Sequence, residues 1–168
     1  MKPVQPRELE RSWERSPEWR GQFDRLRRSR QRLLRGVPTA DLDEVFDLLL
    51  SFFITAYHLR DWLLRSGKVP QGALDALFRS NDDLWLCADL ANIAKHYDLT
   101  DPPRREWQIS IARKYVGKGR GWFGDDAVLV ALSQGRHYDL RDLVASCERT
   151  WTAFLTTNDL MQPSALAT

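Results

Sequence analysis

The chain is short of the residues that build stapled or metal-bound folds, with two cysteines and three histidines among 168 residues. Cys87 and Cys147 each fall in an apolar helical pattern and show neither zinc-site spacing nor a disulfide framework, so a reducing, cytoplasmic setting is expected. Long apolar runs are also missing. Leu48 to Leu59 is closed by Asp47 and Arg60, well short of the roughly 20 apolar residues of a membrane-spanning helix, and no membrane association is expected. After Met1-Lys2-Pro3-Val4-Gln5-Pro6 the residues are charged, where a secretory signal would place its apolar core. No internal repeat is visible. What the chain does have is a content of 43% hydrophobic residues, with seven Trp and seven Phe, which excludes a disordered chain and fits one domain with a single core.

Charge divides the sequence. Residues 1–36 carry one Lys and ten Arg against five acids, a net +6 that leaves the remaining 132 residues at −4. We therefore separate a basic, arginine-rich helical arm (1–36) from a helical-bundle domain (37–168). In the arm, Ser16-Pro17-Glu18 places an N-cap before a proline at the first helical position, predicting a helix over about 17–35. Trp19, Phe23, Leu26, Leu33 and Leu34 give it a thin apolar stripe. The arginines, among them Arg27, Arg28 and Arg30, suit contact with nucleic-acid phosphates, or else form a solvated face while the stripe packs on the body.

Gly36-Val37-Pro38-Thr39 breaks the arm from the body. Asp41-Leu42-Asp43-Glu44 fits a capping box, so the next helix is expected to run to about Ser66 and stop at Gly67. At 100° per residue, Asp47, Ser51, Ile54, His58, Asp61 and Arg65 share one stripe, and Phe46, Leu49, Phe52, Phe53, Ala56, Leu59, Leu63 and Leu64 take most of the rest. Such a helix is central, and its polar stripe must meet water, a partner or another polar stripe. A short helix follows over about 71–79. Ser80-Asn81-Asp82-Asp83, with Ser80 as N-cap, starts another over about 81–98, ended by Pro102-Pro103. On it Trp85, Asp89, Asn92 and His96 share a face, while Ala88, Ala91 and Ala94 permit close helix approach. The two polar stripes are expected to form a shared seam.

The period then changes. Trp107 to Lys114 alternates, a glycine-rich loop covers 117–124, and Ala127 to Leu132 is a second apolar run, together predicting a β-hairpin over about 107–132. Basic side chains beside glycines would let the loop wrap a phosphate, but it lacks the P-loop pattern and reads in preference as a hairpin tip. Asp139 caps a last helix with the stripe Leu140, Leu143, Val144, Cys147, Trp151, Phe154 and Leu155. The fold expected is mainly α, a helical bundle with one inserted β-hairpin.

Three chemistries suit the polar seam. His58, Asp61, Asp89 and His96 are acceptable metal ligands, but the Glu-x-x-His pairs of bundle carboxylate sites are absent, so no metal and no cofactor is expected. His96 can act as general acid or base on RNA, with Asn92 and a cation holding the phosphate. The same groups can instead form a hydrogen-bonded network that aligns two core helices.

A long helical hairpin with a polar-x-x-x-His segment in its second helix resembles the HEPN family, small helical domains that often act as dimeric ribonucleases in bacterial defence and toxin–antitoxin systems. Asn92-Ile93-Ala94-Lys95-His96 matches the second half of the family signature, and Ala91 stands where the family has an arginine. The resemblance covers roughly residues 40–100. It implies a metal-independent ribonuclease, or an RNA-binding protein degenerate in catalysis, acting as a homodimer with RNA and with an antitoxin or other protein partner. Its site would comprise His96, Asn92, His58, Asp61 and Asp89, with the missing positive charge supplied by Arg60, Arg65 or Lys95. The segments YHLRDWL and CADLANIAKH also resemble a class of uncharacterised bacterial proteins.

Overall fold

The computed structural model describes residues 18–35, 42–95, 110–118, 120, 127–133 and 135–161. Among these described residues five helices and three strands follow in the order α1 (Glu18–Arg35), α2 (Leu42–Arg65), α3 (Gln71–Arg79), α4 (Asp82–Lys95), β1 (Ser110–Tyr115), β2 (Ala127–Ser133), β3 (Arg136–Asp139) and α5 (Leu140–Thr157). The fold is mainly α with a small antiparallel sheet inserted, as the periodicities require.

Helix α2 is the centre of the bundle. Leu49, Phe52, Phe53, Ala56, Leu59 and Leu63 are all buried, and the helix packs against α1, α4 and α5. Each large apolar side chain so buried contributes roughly 1.5–3 kcal/mol relative to exposure. The helix ends at Arg65, where Gly67 takes a φ of 64° and its N–H bonds the Leu64 carbonyl at 3.0 Å. Only a residue without Cβ reaches that conformation at little cost. The capping box at Asp41 lies outside the described residues.

Helix α1 is built into the same core through Trp19, Phe23, Leu26 and Leu33, which are buried. Its first turn is tied to the segment just after the last helix by an Arg20 Nη2 hydrogen bond to the Leu160 carbonyl at 3.2 Å. Helix α3 begins after Pro70 in an extended conformation and closes at Ser80. The expectation that Ser80 caps the following helix is corrected. Ser80 ends α3, donating its N–H to the Ala76 carbonyl, and Asn81 caps α4 by accepting the Leu84 N–H on Oδ1 at 2.9 Å. Asn at an N-cap serves as well as Ser, and here its side-chain amide also donates to Thr150 Oγ1 on α5 at 3.3 Å. Ser146 donates to the Asp83 carboxylate as well, so the first turn of α4 is fastened to α5 along one line.

The sheet holds one more strand than a hairpin. Strand β2 pairs with β1 from Ser110↔Leu132 to Tyr115↔Ala127, and with β3 from Val130↔Asp139 to Ser133↔Arg136. Between β2 and β3, Gly135 takes a φ of 71°. Val128, Leu129, Val130 and Ala131 are all buried, as a central strand covered on both faces requires, and α5 packs on β2 and β3. Asp139 ends β3 and caps α5, accepting the Arg141 N–H at 2.8 Å.

Candidate anion groove and aromatic pocket

The polar stripe on α2 runs along the outside of that helix, and its first half forms one wall of a groove. The opposite wall is α1. Arg25, Arg28, Ser29 and Arg32 of α1 face Asp47, Leu50, Ser51, Ile54 and Thr55 of α2 across a volume of about 730 Å³. The three arginines fall at i, i+3 and i+7, so they line one side of the helix. No carboxylate lies within 4.0 Å of any of the three guanidinium groups among the described residues. The Thr55 hydroxyl donates to the Ser51 carbonyl at 2.8 Å and keeps its lone pairs for an acceptor role.

The arginines named from the sequence divide between two arcs of α1. Arg28 stands in the groove. Arg30 lies on the apolar side of the helix, with Nε 2.9 Å from Glu148 Oε2 of α5, and Arg27 Nε is 3.8 Å from the other oxygen of the same carboxylate. A guanidinium on the packed side of a helix needs a countercharge, and Glu148, itself only 15% exposed, provides it. Arg25 and Arg32 were not singled out by the sequence, although the i, i+3, i+7 spacing within the arginine run carries the signal.

Further along α2, about one turn beyond Ile54, the structure brings together His58 and Asp61, with Nδ1 to Oδ2 at 3.2 Å. Both remain partly open to water, at 34% and 49% of the side chain. Arg60 points elsewhere, with Nη2 2.7 Å from Asp75 Oδ1 on α3 and Nη1 3.7 Å from Asp61 Oδ1. Arg65 is exposed in the last turn of α2. On α4, Asp89 is buried, Asn92 is half-buried and Ala91 is completely buried. His96 and the Lys95 side chain lie outside the described residues. Among the described residues no group of three or more His, Cys, Asp or Glu is arranged to hold a metal ion, and no helix is long and apolar enough to cross a membrane.

A second cavity of about 250 Å³ opens between α2, α3 and α4, lined by Tyr57, Arg60, Asp75, Phe78, Arg79 and Trp85. Sequence reasoning missed it, because its residues come from three helices with no shared motif. Phe78 is buried, and the half-buried Tyr57 and Trp85 meet it edge-on at interplanar angles of 77° and 87°. The Arg60 guanidinium bonded to Asp75 holds that carboxyl below the usual carboxylate range against a smaller upward push from burial, and Arg79 acts in the same direction as Arg60.

The two cysteines are also neighbours. Both are free and buried between α4 and α5, with Cys147 Sγ 3.7 Å from the Asp83 carbonyl and Cys87 Sγ 3.7 Å from that of Phe53. A hydrogen bond with Cys87, and then burial, push the Cys147 thiol well above its ordinary value. This leaves a packed thiol and not a nucleophile.

Compared with models of known families, with curated proteins and with solved structures, the chain matches none of them.

Proposed function

We propose that this chain is an RNA-binding helical protein of HEPN-like character, acting in bacterial defence or stress response, with the groove between α1 and α2 as its phosphate-binding surface. The observation that carries the reading is the row Arg25, Arg28 and Arg32, which has no carboxylate partner among the described residues and faces a wall that carries the Ser51 and Thr55 hydroxyls. Guanidinium groups match phosphate oxygens two at a time, and a row of them along a helix tracks a phosphate backbone. Ser29, Ser51 and Thr55 add hydrogen-bonding capacity, and Asp47 at the α2 wall repels phosphate and limits where the backbone can lie. Binding of a labelled single-stranded RNA by the full chain, measured at several salt concentrations, tests this. Affinity that does not depend on salt, or that survives loss of the three arginines, refutes it.

A second reading, that the bound RNA is also cleaved, is favoured by the His58–Asp61 pair, which continues the stripe that walls the groove. A carboxylate on Nδ1 orients the imidazole for acid–base work on a ribose 2′-hydroxyl. On this reading purified protein degrades RNA in the presence of EDTA. His58→Ala or His96→Ala removes cleavage and leaves binding in place, and cleavage that survives both changes removes both histidines from the chemistry. The homodimer and the protein partner implied by the family resemblance belong to the same proposal, and sedimentation of the purified chain tests the first.

A further inference from the structure

The aromatic cavity between α2, α3 and α4 is not used by phosphate binding in the groove. Its chemistry is specific in three respects. Tyr57 and Trp85 are half-buried rings that both meet the buried Phe78 edge-on, which gives the cavity an aromatic side suited to a flat ring system. Its volume, about 250 Å³, is below the usual range for drug-sized ligands and suits a single small planar group. At the rim, Asp75 can only accept hydrogen bonds. Arg60 on Oδ1 and a hydrogen bond from Gln71 hold the carboxylate in place, and its remaining lone pairs are left for a ligand's N–H donors. Arg79 adds an exposed positive charge for which no ion pair is formed among the described residues. Arg60 is shared between Asp75 and Asp61, so the positive charge open to a ligand at the pocket is that of Arg79.

A ligand that meets all three demands is flat, carries adjacent N–H donors on one edge and bears an anionic group. We propose that this cavity is a base-reading pocket that takes one guanine base, with Asp75 accepting from its N1–H and N2 amino group, the ring between Tyr57 and Trp85, and its phosphate toward Arg79. Adenine and cytosine present only an amino group on that edge and uracil only an imide N–H, so each leaves part of the carboxylate unanswered. The source of the base, an RNA single strand, rests on the function proposed above. Tyr57 and Arg60 follow Thr55 on the same helix, so a strand whose phosphates lie in the groove has the pocket within the next turns of α2. Duplex RNA does not suit it, because a paired base cannot offer its Watson–Crick edge or enter a slot.

The test compares uridine hexamers in which one position is changed to guanosine, adenosine or cytidine, bound to the full-length chain and followed by fluorescence anisotropy, with GMP, guanosine and UMP as free ligands. The guanosine-containing hexamer is expected to bind roughly tenfold more tightly than the uridine hexamer, the range of one well-placed bidentate contact. Asp75→Asn keeps the shape of the side chain and is expected to abolish this preference, read as the ratio of the guanosine-hexamer to the uridine-hexamer affinity measured on the same variant. Arg79→Gln, at an exposed position that cannot disturb the core, is expected to remove the advantage of GMP over guanosine. Equal affinity for all four hexamers, or a guanosine preference that persists in Asp75→Asn, overturns the pocket. Salt-dependent binding without base preference leaves the RNA reading standing and the pocket refuted. Binding of GMP that depends on Asp75, with no binding of any hexamer, assigns the pocket to a free guanine nucleotide and refutes the RNA reading.

Discussion

Two sets of arginines on one helix predict opposite responses to the same kind of substitution. Arg25, Arg28 and Arg32 are exposed and line the groove, whereas Arg27 and Arg30 converge on Glu148. If each groove arginine neutralises one phosphate of a single strand, together they contribute about −2 to the slope of log affinity against log salt, from about −0.7 for each. Between 50 and 200 mM salt that slope corresponds to a loss of roughly twentyfold in affinity. The triple variant Arg25→Gln, Arg28→Gln and Arg32→Gln is therefore expected to bind with a slope shallower by about 2. Its thermal stability should be unchanged, since no described contact is lost. The pair Arg27→Gln and Arg30→Gln is expected to keep the slope and lose stability, by about 1–2 kcal/mol, because Glu148 at 15% exposure is left without its charged partners. Anisotropy titrations at four salt concentrations, with thermal melts of each variant, read both quantities. An unchanged slope in the triple variant, or an equal fall in the pair, would refute the assignment of the two arcs.

Three further outcomes follow from named contacts. Asp139→Ala removes the cap that accepts the Arg141 N–H and should cost about 1 kcal/mol in denaturant unfolding, whereas Asp139→Asn should restore most of it. Asp75 has a folded-state pKa lowered chiefly by its bond to Arg60, so its contribution to stability is present above the unfolded value near 3.8 and is lost as pH falls through the folded value. In carboxyl-carbon NMR titrations Asp75 should protonate below an ordinary aspartate, and Arg60→Met should move it up; no movement would remove Arg60 as the cause. Cys147 has a raised folded-state pKa, so its contribution is intact below the unfolded value near 9.0 and is lost as pH rises above it. Neither Cys147 nor Cys87 should react with a thiol reagent in the native protein at neutral pH, and both should react in denaturant.

Legibility in the sequence followed the range of the interaction. The central helix, its apolar faces and its stop at Gly67 were readable because helical period and glycine conformation are local properties. The last helix and its Asp139 cap were readable for the same reason. The third strand, Arg136–Asp139, was not, because four residues with no alternation carry no pattern of their own and become a strand only by pairing with β2. Ser80 and Asn81 are both good caps, and the choice between them was made by Thr150 on α5, which holds the Asn81 side chain. The arginine run shows how far a local argument goes. Its spacing alone separates Arg25, Arg28 and Arg32 from Arg27 and Arg30, since the latter two lie toward the arc that carries Trp19, Phe23 and Leu26. That the second arc is neutralised depends on Glu148, a residue of the last helix that no pattern in the first one announces. The same limit governs the aromatic pocket, whose rings and charges come from three helices and acquire a common purpose only when α3 folds back over α2 and α4. A basic helix is thus half an argument for nucleic-acid binding. The other half is the list of arginines that the rest of the fold has left without a carboxylate.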